Sequence, residues 1–284
     1  MVRCSCKAKR SHGSHALGVL GAAALDAVFP VRCSGCGRFF RRRRNAGSRI
    51  PETRDSDKEP CTILSDFLCD ACGPLIEWVR SPLCTCCGRP FDSPQGVDHR
   101  CGKCRENPFD FTMARSAGTY RGPFKALICA YKYQFRVDLA VPLSRILWRT
   151  LHRHWDPHTI DCIIPVPLHK RRLRERGFNQ SEFMLRPWFA ALSARGRLPN
   201  RPILSIGNLV RRRCTHPQTG LDRSQRIANL HRAFHLADPD AVRGCRVLLV
   251  DDVLTTGATV NACASALQKA KVASVEVLTL ARAV

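Results

Sequence analysis

Two adjacent carboxylates and a threonine-glycine loop follow an apolar run in the stretch from Val247 to Thr259. When ionised, Asp251 and Asp252 can only accept hydrogen bonds, which suits neighbouring sugar hydroxyls. Gly257 carries no side chain, so the loop around it lets a phosphate approach the backbone closely. Together these residue types fit a ribose 5-phosphate.

The elements that must position these groups follow from the hydrophobic pattern. The apolar run from Val247 to Val250 predicts a buried parallel strand, with both acids at its carboxyl end. Beyond the loop, a helix packed on this strand is predicted from Ala262, Ala264, Ala266 and Leu267. The loop would then lie at a helix N-terminus, where free N–H groups and the helix dipole favour an anion.

A simpler explanation competes with the ligand site. Acids and threonines that follow a strand often do no more than cap the next helix. The complete string from Val247 to Thr259, however, resembles the motif with which type I phosphoribosyltransferases bind phosphoribosyl pyrophosphate (PRPP). This resemblance favours ligand binding over capping.

The resemblance implies a role for each residue of the string. Asp251 and Asp252 would hold the ribose 2- and 3-hydroxyls and act in catalysis, because nearby negative charge stabilises an oxocarbenium-like state. The leaving pyrophosphate would be carried on Mg²⁺. The 5-phosphate would be cradled by Thr255, Thr256, Gly257, Ala258 and Thr259.

Four Cys-x-x-Cys pairs lie in the first part of the chain, and three of them are followed directly by glycine. Eight thiolates suffice for two tetrahedral Cys₄ zinc sites. We assign the pairs in chain order, which gives Cys33, Cys36, Cys69 and Cys72 for one site and Cys84, Cys87, Cys101 and Cys104 for the other. Such closed sites would be structural. Disulfides, or a single zinc site, are the alternatives.

A proline-rich strand end leads into an arginine run. The run from Ile163 to Leu168 contains two prolines, which fix an extended turn, and the arginines up to Arg176 offer forked donors to phosphate oxygens. By itself, an arginine run is usually a solvated face. Together with the following Gly-Phe-Asn-Gln, Gly177 to Gln180, the stretch resembles the ComF family of competence-associated phosphoribosyltransferase-like proteins.

Further stretches fit the same family, and the cysteine pairs are among them. Tyr131 to Tyr133 resembles its lysine-tyrosine element, which implies that Lys132 contacts PRPP, as Arg176 would. The polar segment from Arg211 to Gln218 resembles the mobile hood that covers PRPP in related enzymes. The hood residues would be Arg213, Gln218 and Arg226.

The amino terminus superficially resembles a signal peptide, because basic residues precede an apolar run from Ala16 to Phe29. Asp26 and Pro30 interrupt the run, which leads directly into Cys33, so we prefer a short helix packed against the cysteine-rich region. No stretch reaches the roughly 20 apolar residues of a membrane span. We therefore expect a cytoplasmic protein.

The charge of the chain is strongly positive, +23 over 284 residues, and it is unevenly distributed. Residues 105–284 hold 29 Lys and Arg against 13 Asp and Glu. A small phosphate ligand does not need so many cations, which suggests single-stranded nucleic acid as a partner. A compositional bias toward arginine explains the charge equally well. Aromatic residues are sparse at 7%, so no base-stacking surface is evident.

The pattern as a whole predicts an α/β fold of the type I phosphoribosyltransferase class, a parallel sheet flanked by helices, with an N-terminal double zinc ribbon. The predicted domains are residues 1–30 (basic segment and short helix), 31–108 (double ribbon with a disordered insertion, 41–60) and 109–284 (phosphoribosyltransferase-like). Strands are expected near Ala114–Tyr120, Ile160–Val166, Leu204–Leu209, Val247–Val250 and Val275–Leu280, with helices between them up to Trp155 and over Ser181–Ala194.

Two functions of different class remain open at this point. The first is a phosphoribosyltransferase that binds PRPP with Mg²⁺ and acts on an acceptor that the sequence does not identify. The second is a non-catalytic protein that handles single-stranded DNA in natural competence, together with competence or recombination proteins, and keeps the PRPP fold.

Overall fold

The computed structural model describes residues 31–41, 60–93, 95–193, 202–212 and 233–284. The predicted N-terminal helix, residues 42–59 of the predicted insertion and the three hood residues lie outside these ranges. None of the helices in the described ranges is long and apolar enough to cross a membrane.

Nine strands and seven α-helices make up the described chain. The strands are β1 (Val31–Arg32), β2 (Phe39–Phe40), β3 (Met113–Thr119), β4 (Cys162–Pro165), β5 (Ile203–Leu204), β6 (Leu209–Arg211), β7 (Phe234–Leu236), β8 (Arg246–Leu254) and β9 (Ser274–Arg282). The helices are α1 (Pro60–Ile63), α2 (Gly102–Glu106), α3 (Gly122–Tyr133), α4 (Ala140–His154), α5 (Lys170–Arg176), α6 (Gln180–Ser193) and α7 (Ala258–Lys269).

Five strands form one parallel sheet in the order β3-β9-β8-β4-β5, which confirms the predicted fold class. The apolar run of β8 is buried because helices cover both faces of the sheet. Leu248 and Val250 pack in a core with α3, α4 and α6, whereas Val247 and Leu249 pack in a second core with α7. The carboxyl ends of β4 and β8 lie side by side, where such folds bind ligands.

The cysteine-rich region covers the outer edge of this sheet. Trp78 forms an antiparallel bridge with Gly118 of β3, and the Val79 N–H donates to the Ala117 carbonyl at 2.9 Å. Farther along β3, the Ala114 N–H donates to the Cys86 carbonyl at 2.7 Å. The ribbon therefore pairs with an edge strand that would otherwise present open hydrogen-bonding groups.

Two sequence-based boundaries were wrong. The single strand expected over Leu204–Leu209 is divided into β5 and β6, because Gly207 at φ +82° turns the chain between them and β6 pairs with β7 instead of the main sheet. Strand β8 does not end at Val250 but continues through both acids to Leu254. Its pairing with β9 extends to Leu254 opposite Arg282, and this keeps the acidic segment extended.

Candidate functional site

Asp251 and Asp252 lie near the carboxyl end of β8 and take different partners. Asp252 is 8% exposed and forms an ion pair with Lys132, with Nζ and Oδ1 2.7 Å apart. Lys132 belongs to the last turn of α3, which packs on one face of the sheet. The fold thus joins a lysine and an acid that are far apart in sequence.

Asp251 accepts hydrogen bonds from its surroundings instead of pairing with a cation. The Ser181 hydroxyl donates to its Oδ1 at 3.1 Å, and the Asp252 N–H donates to the same oxygen at 2.9 Å. Burial, together with the neighbouring charge of Asp252, raises the pKa of Asp251 to about 7, although Lys132 acts in the opposite direction. One acid of the pair therefore titrates near neutral pH.

The threonine-glycine loop leads from β8 into α7, as predicted. Gly257 has φ +85° and precedes the first helical residue, Ala258, whose N–H donates to the Thr256 hydroxyl at 3.3 Å. A Cβ at Gly257 would lie 3.0 Å from the Phe109 ring, so backbone conformation and packing both require glycine here. Thr255 and Thr256 are exposed, and Thr259 lies in the first turn of α7.

Arg282, at the end of β9, fixes the start of this loop. Its Nη1 donates to the Leu254 carbonyl at 3.0 Å and also to the Thr255 carbonyl. A buried guanidinium that binds backbone carbonyls holds the loop in one conformation.

The arginine run forms the short helix α5, which has no buried residue and ends at Gly177 with φ +75°. Arg176 at its end donates to Gln180 Oε1 at 3.0 Å and to the Tyr133 hydroxyl at 3.1 Å. Tyr133 follows Lys132 directly, so the structure brings Arg176 to the same corner of the sheet as the two acids.

Sequence reasoning missed several residues that support the site. Asn179 donates to the Val166 carbonyl at 3.2 Å and accepts from the Ser181 N–H at 3.1 Å, which places the Ser181 hydroxyl on Asp251. The Asn-Gln stretch was a signal that could have identified Asn179 and Ser181. No local pattern marks Arg282 or Phe109, because their roles depend on the packing of distant segments.

The eight cysteines form two groups in the predicted chain order, and within each group the Sγ atoms lie within 4.8 Å of one another. Sγ distances are 3.8 Å for Cys36 and Cys69, and 3.8 Å for Cys84 and Cys104. Tetrahedral zinc with bonds of about 2.3 Å requires about this spacing, whereas a disulfide bond is about 2.05 Å long. Both groups can therefore hold a metal ion, and these thiols are not paired as disulfides.

In each group, the thiol of the first cysteine has a lowered pKa. Burial opposes ionisation of Cys33, but backbone N–H groups, among them those of Cys69 at 3.3 Å and Gly35 at 3.4 Å, outweigh it and lower its pKa to about 6. Cys84 has a pKa of about 6 for the same reason, with the N–H groups of Cys87 and Cys101 both at 3.4 Å. Thiolate is the form that binds zinc.

Comparisons with known proteins agree with this architecture. The phosphoribosyl transferase domain family matches residues 210–283. Competence protein F of Haemophilus influenzae is 32% identical over 226 residues, which cover 78% of this chain and 93% of that protein. DNA utilization protein YhgH of Salmonella typhimurium is 32% identical over 218 residues, which cover 76% of this chain and 90% of that protein. Competence protein ComFC of Bacillus subtilis is 26% identical over 76% of this chain and 84% of its own.

A structural comparison gives a weaker likeness. The structure of hypoxanthine phosphoribosyl transferase of Trypanosoma cruzi aligns with 54% of this chain and with 65% of its own chain. The sequence identity is 14% and the TM-score is 0.29. A likeness at this level supports no functional argument, so the sheet order and the sequence relatives define the fold.

Proposed function

The chain belongs to the ComF family, and on that premise we propose that it binds PRPP with Mg²⁺ at the carboxyl ends of β4 and β8. The observation that carries this proposal is the ion pair between Lys132 and Asp252, 2.7 Å long, close to the glycine loop that begins α7. A cation, two acids and a helix N-terminus in one place match the phosphates and hydroxyls of this ligand.

In the proposed complex, Asp251 and Asp252 accept hydrogen bonds from the ribose hydroxyls. The loop from Thr255 to Thr259 holds the 5-phosphate, and Lys132 and Arg176 contact pyrophosphate oxygens. Lys132 would exchange its bond to Asp252 for a phosphate, which frees that carboxylate for a hydroxyl. Mg²⁺ would supply charge neutralisation on the pyrophosphate.

Phosphoribosyl transfer is the reaction that such a complex supports. The bond between the anomeric carbon and pyrophosphate breaks, and its electron pair leaves with pyrophosphate. The acceptor forms the new bond to the anomeric carbon and loses a proton. Carboxylates beside the ribose stabilise the positive charge that develops on the sugar.

A second function, the handling of single-stranded DNA, is favoured by a separate observation. Helix α5 carries five basic residues among seven and buries none of its side chains. Two relatives are named competence proteins and another is named a DNA utilization protein. We propose a non-catalytic, cytoplasmic role beside competence or recombination proteins, in which the PRPP site senses its ligand or helps to bind the strand.

Each Cys₄ group is proposed to hold one zinc ion in a structural role. Four thiolates complete a tetrahedral shell and leave no open position for a substrate. Two zinc ions per chain are therefore expected, one in each group.

A calorimetric titration of Mg²⁺ and PRPP into the wild type and Asp252→Asn tests the binding proposal. We expect the variant to bind more weakly by about 1.5–3 kcal/mol, the contribution of a charged hydrogen bond, which is about a factor of ten or more. Asp240→Asn is the control, because that exposed acid pairs with Arg243 on the surface and lies outside the proposed site. Equal affinity of wild type and Asp252→Asn would contradict the ribose assignment.

Pyrophosphate release separates catalysis from ligand binding. The purified protein would be incubated with PRPP, Mg²⁺ and a panel of nucleobases or DNA strands. Release that requires one acceptor would establish transfer, whereas PRPP binding without release for any acceptor would favour the second function.

A further inference from the structure

Two exposed aromatic side chains project at the carboxyl end of α3. Tyr133 is 59% exposed and Phe135 is 64% exposed, and among the described Phe, Tyr and Trp residues only Phe39, in the ribbon, is comparably exposed. Tyr133 directly follows Lys132, whose amine pairs with Asp252. The aromatic pair therefore borders the proposed PRPP site.

The backbone of Phe135 makes its exposure unusual. This residue has φ +53°, in the left-handed region that is unfavourable for a bulky side chain. The ring is mostly exposed, so its burial does not offset this unfavourable backbone conformation. Strained residues of this kind concentrate at binding sites, where the strain is part of how a side chain is presented.

Helix α5 places an arginine on the same surface. The Arg176 guanidinium lies 4.8 Å from the centre of the Tyr133 ring and donates to its hydroxyl. A Cβ at Gly177 would be 3.8 Å from Cε1 of Phe135, so that ring lies against the end of α5. Tyr133, Phe135 and Arg176 thus form one cluster, which we call the platform.

The positive charge around the platform indicates which kind of ligand it binds. Lys170, Arg172 and Arg174 are exposed on α5 and form no ion pair with any described residue, while Arg171 pairs with Glu175. Cations beside exposed aromatic rings are the combination that binds single-stranded nucleic acid, since phosphates meet the cations and unpaired bases stack on the rings. A protein partner with an apolar surface would gain nothing from these cations.

We propose that the platform stacks an unpaired base of single-stranded nucleic acid while α5 binds the adjacent phosphates. This site rests on the second function proposed above, and gives it a location beside the PRPP site. No stacking surface is evident from the sparse aromatic content of the sequence, but the fold exposes two of these few aromatic residues together.

The test compares oligothymidylate with an abasic oligonucleotide of equal length, measured by fluorescence anisotropy at low salt. Phe135→Gly removes the ring and suits the positive φ, so thermal unfolding should be unchanged or slightly raised. We expect this variant to bind oligothymidylate about five- to a hundred-fold more weakly, as for the loss of one stacked base. Its affinity for the abasic strand should equal that of the wild type.

Three further variants complete the design. Phe135→Trp should bind oligothymidylate about as tightly as the wild type, because the larger ring still stacks on a base. Phe39→Ala, the exposed aromatic residue of the ribbon, should change neither affinity. The double variant Arg172→Gln and Arg174→Gln should weaken binding to both strands by similar factors, since it removes phosphate contacts alone.

Each outcome identifies which proposal fails. Equal oligothymidylate affinity of wild type and Phe135→Gly would overturn the platform and leave nucleic-acid handling intact. No binding of either strand by the wild type would overturn the platform and the second function together. Titration of the same samples with Mg²⁺ and PRPP tests the PRPP site independently.

Discussion

The two Cys₄ groups have the same ligands, the same Sγ spacing and the same backbone hydrogen bonds to the first thiol, but they support different parts of the molecule. We call them the first cluster (Cys33, Cys36, Cys69 and Cys72) and the second cluster (Cys84, Cys87, Cys101 and Cys104). The first packs with the core that contains α3, and the second with the core that contains α7. Equal chemistry at two sites therefore does not mean equal roles.

The first cluster supports the helix that carries Lys132. A Cβ at Gly35 would lie 3.0 Å from Cys72 Sγ and 3.2 Å from Pro123, in the first turn of α3. Cys36, in contrast, is exposed. The cluster thus holds one end of α3 while its outer thiol faces solvent.

The second cluster is built into the edge of the sheet. Gly88, at φ +65°, is so close to β3 that a Cβ would lie 2.4 Å from the Ala114 carbonyl oxygen. Buried Arg115 of β3 donates to the carbonyls of Ala114 at 2.8 Å and Thr85 at 3.1 Å. The comparison shows that the second cluster is joined to strand β3, whereas the first packs against the start of α3.

Removal of one cysteine ligand from each cluster should give the largest difference in stability between the two clusters. Cys104→Ser should lose its metal and cooperative unfolding, because structural zinc sites contribute on the order of 10 kcal/mol to folding. Cys36→Ser, at the exposed corner of the first cluster, should lose one metal while the sheet still unfolds cooperatively. Metal analysis and circular dichroism measure both effects. Identical behaviour of the two variants would remove the distinction.

The glycines that follow the first Cys-x-x-Cys pair of each cluster, Gly37 and Gly88, provide a matched pair for comparison. Gly37→Ala should cost about 1 kcal/mol, because φ is +74° but no atom lies within 4 Å of the new Cβ. Gly88→Ala should cost about 3 kcal/mol or more, since a clash with the β3 backbone is added to the same conformational strain. Urea unfolding gives both free energies. Equal costs would mean that the second cluster does not depend on its contact with β3.

Ligand affinity tests the link from the first cluster to the site. Cys36→Ser should weaken binding of Mg²⁺ and PRPP by roughly 0.5–2 kcal/mol, because a looser α3 holds Lys132 less firmly. Cys245→Ser changes a thiol outside both clusters and serves as the control. Calorimetry that finds the Cys36 variant equal to this control would show that the first cluster has no influence on the site.

The pH dependence of stability tests the environment of Asp251. The pKa of Asp251 is about 7 in the folded protein and near 3.8 without its surroundings, so the folded state binds more protons in this range. Its contribution to stability is present at low pH and is lost as pH rises from about 4 to about 7, by at most about 1.4 kcal/mol per pH unit. Asp251→Asn should remove this slope, measured as the difference from wild type in urea unfolding.

The same measurement sharpens the comparison of the clusters. Lys132 lowers the pKa of Asp251, so loosening α3 in Cys36→Ser should raise that pKa further. The pH window of the stability loss should then extend above pH 7. An unchanged window would indicate that Lys132 stays in place without the first metal.

Much of the site could be predicted from short stretches of sequence. The turn at Gly257 and the helix after it were predicted correctly, since an apolar run, a glycine and small residues at helical spacing are local signals. The four Cys-x-x-Cys pairs were also predictable, because each is formed within four residues, and their assignment in chain order is confirmed. The division of Leu204–Leu209 was not, because the pairing of β6 with β7 joins segments far apart in the chain.

The sequence by itself determined the α/β class, the position of the acids near the end of a buried parallel strand and the four Cys-x-x-Cys pairs. The tertiary structure decided that Lys132 pairs with Asp252 while Asp251 takes the Ser181 hydroxyl, and that Phe135 remains exposed beside Arg176. The spacing of apolar residues and the residue types of turns depend on only a few neighbouring residues, so the sequence predicts them directly. The partner of a charge or ring is set by which strands and helices become neighbours, and only the folded sheet fixes that.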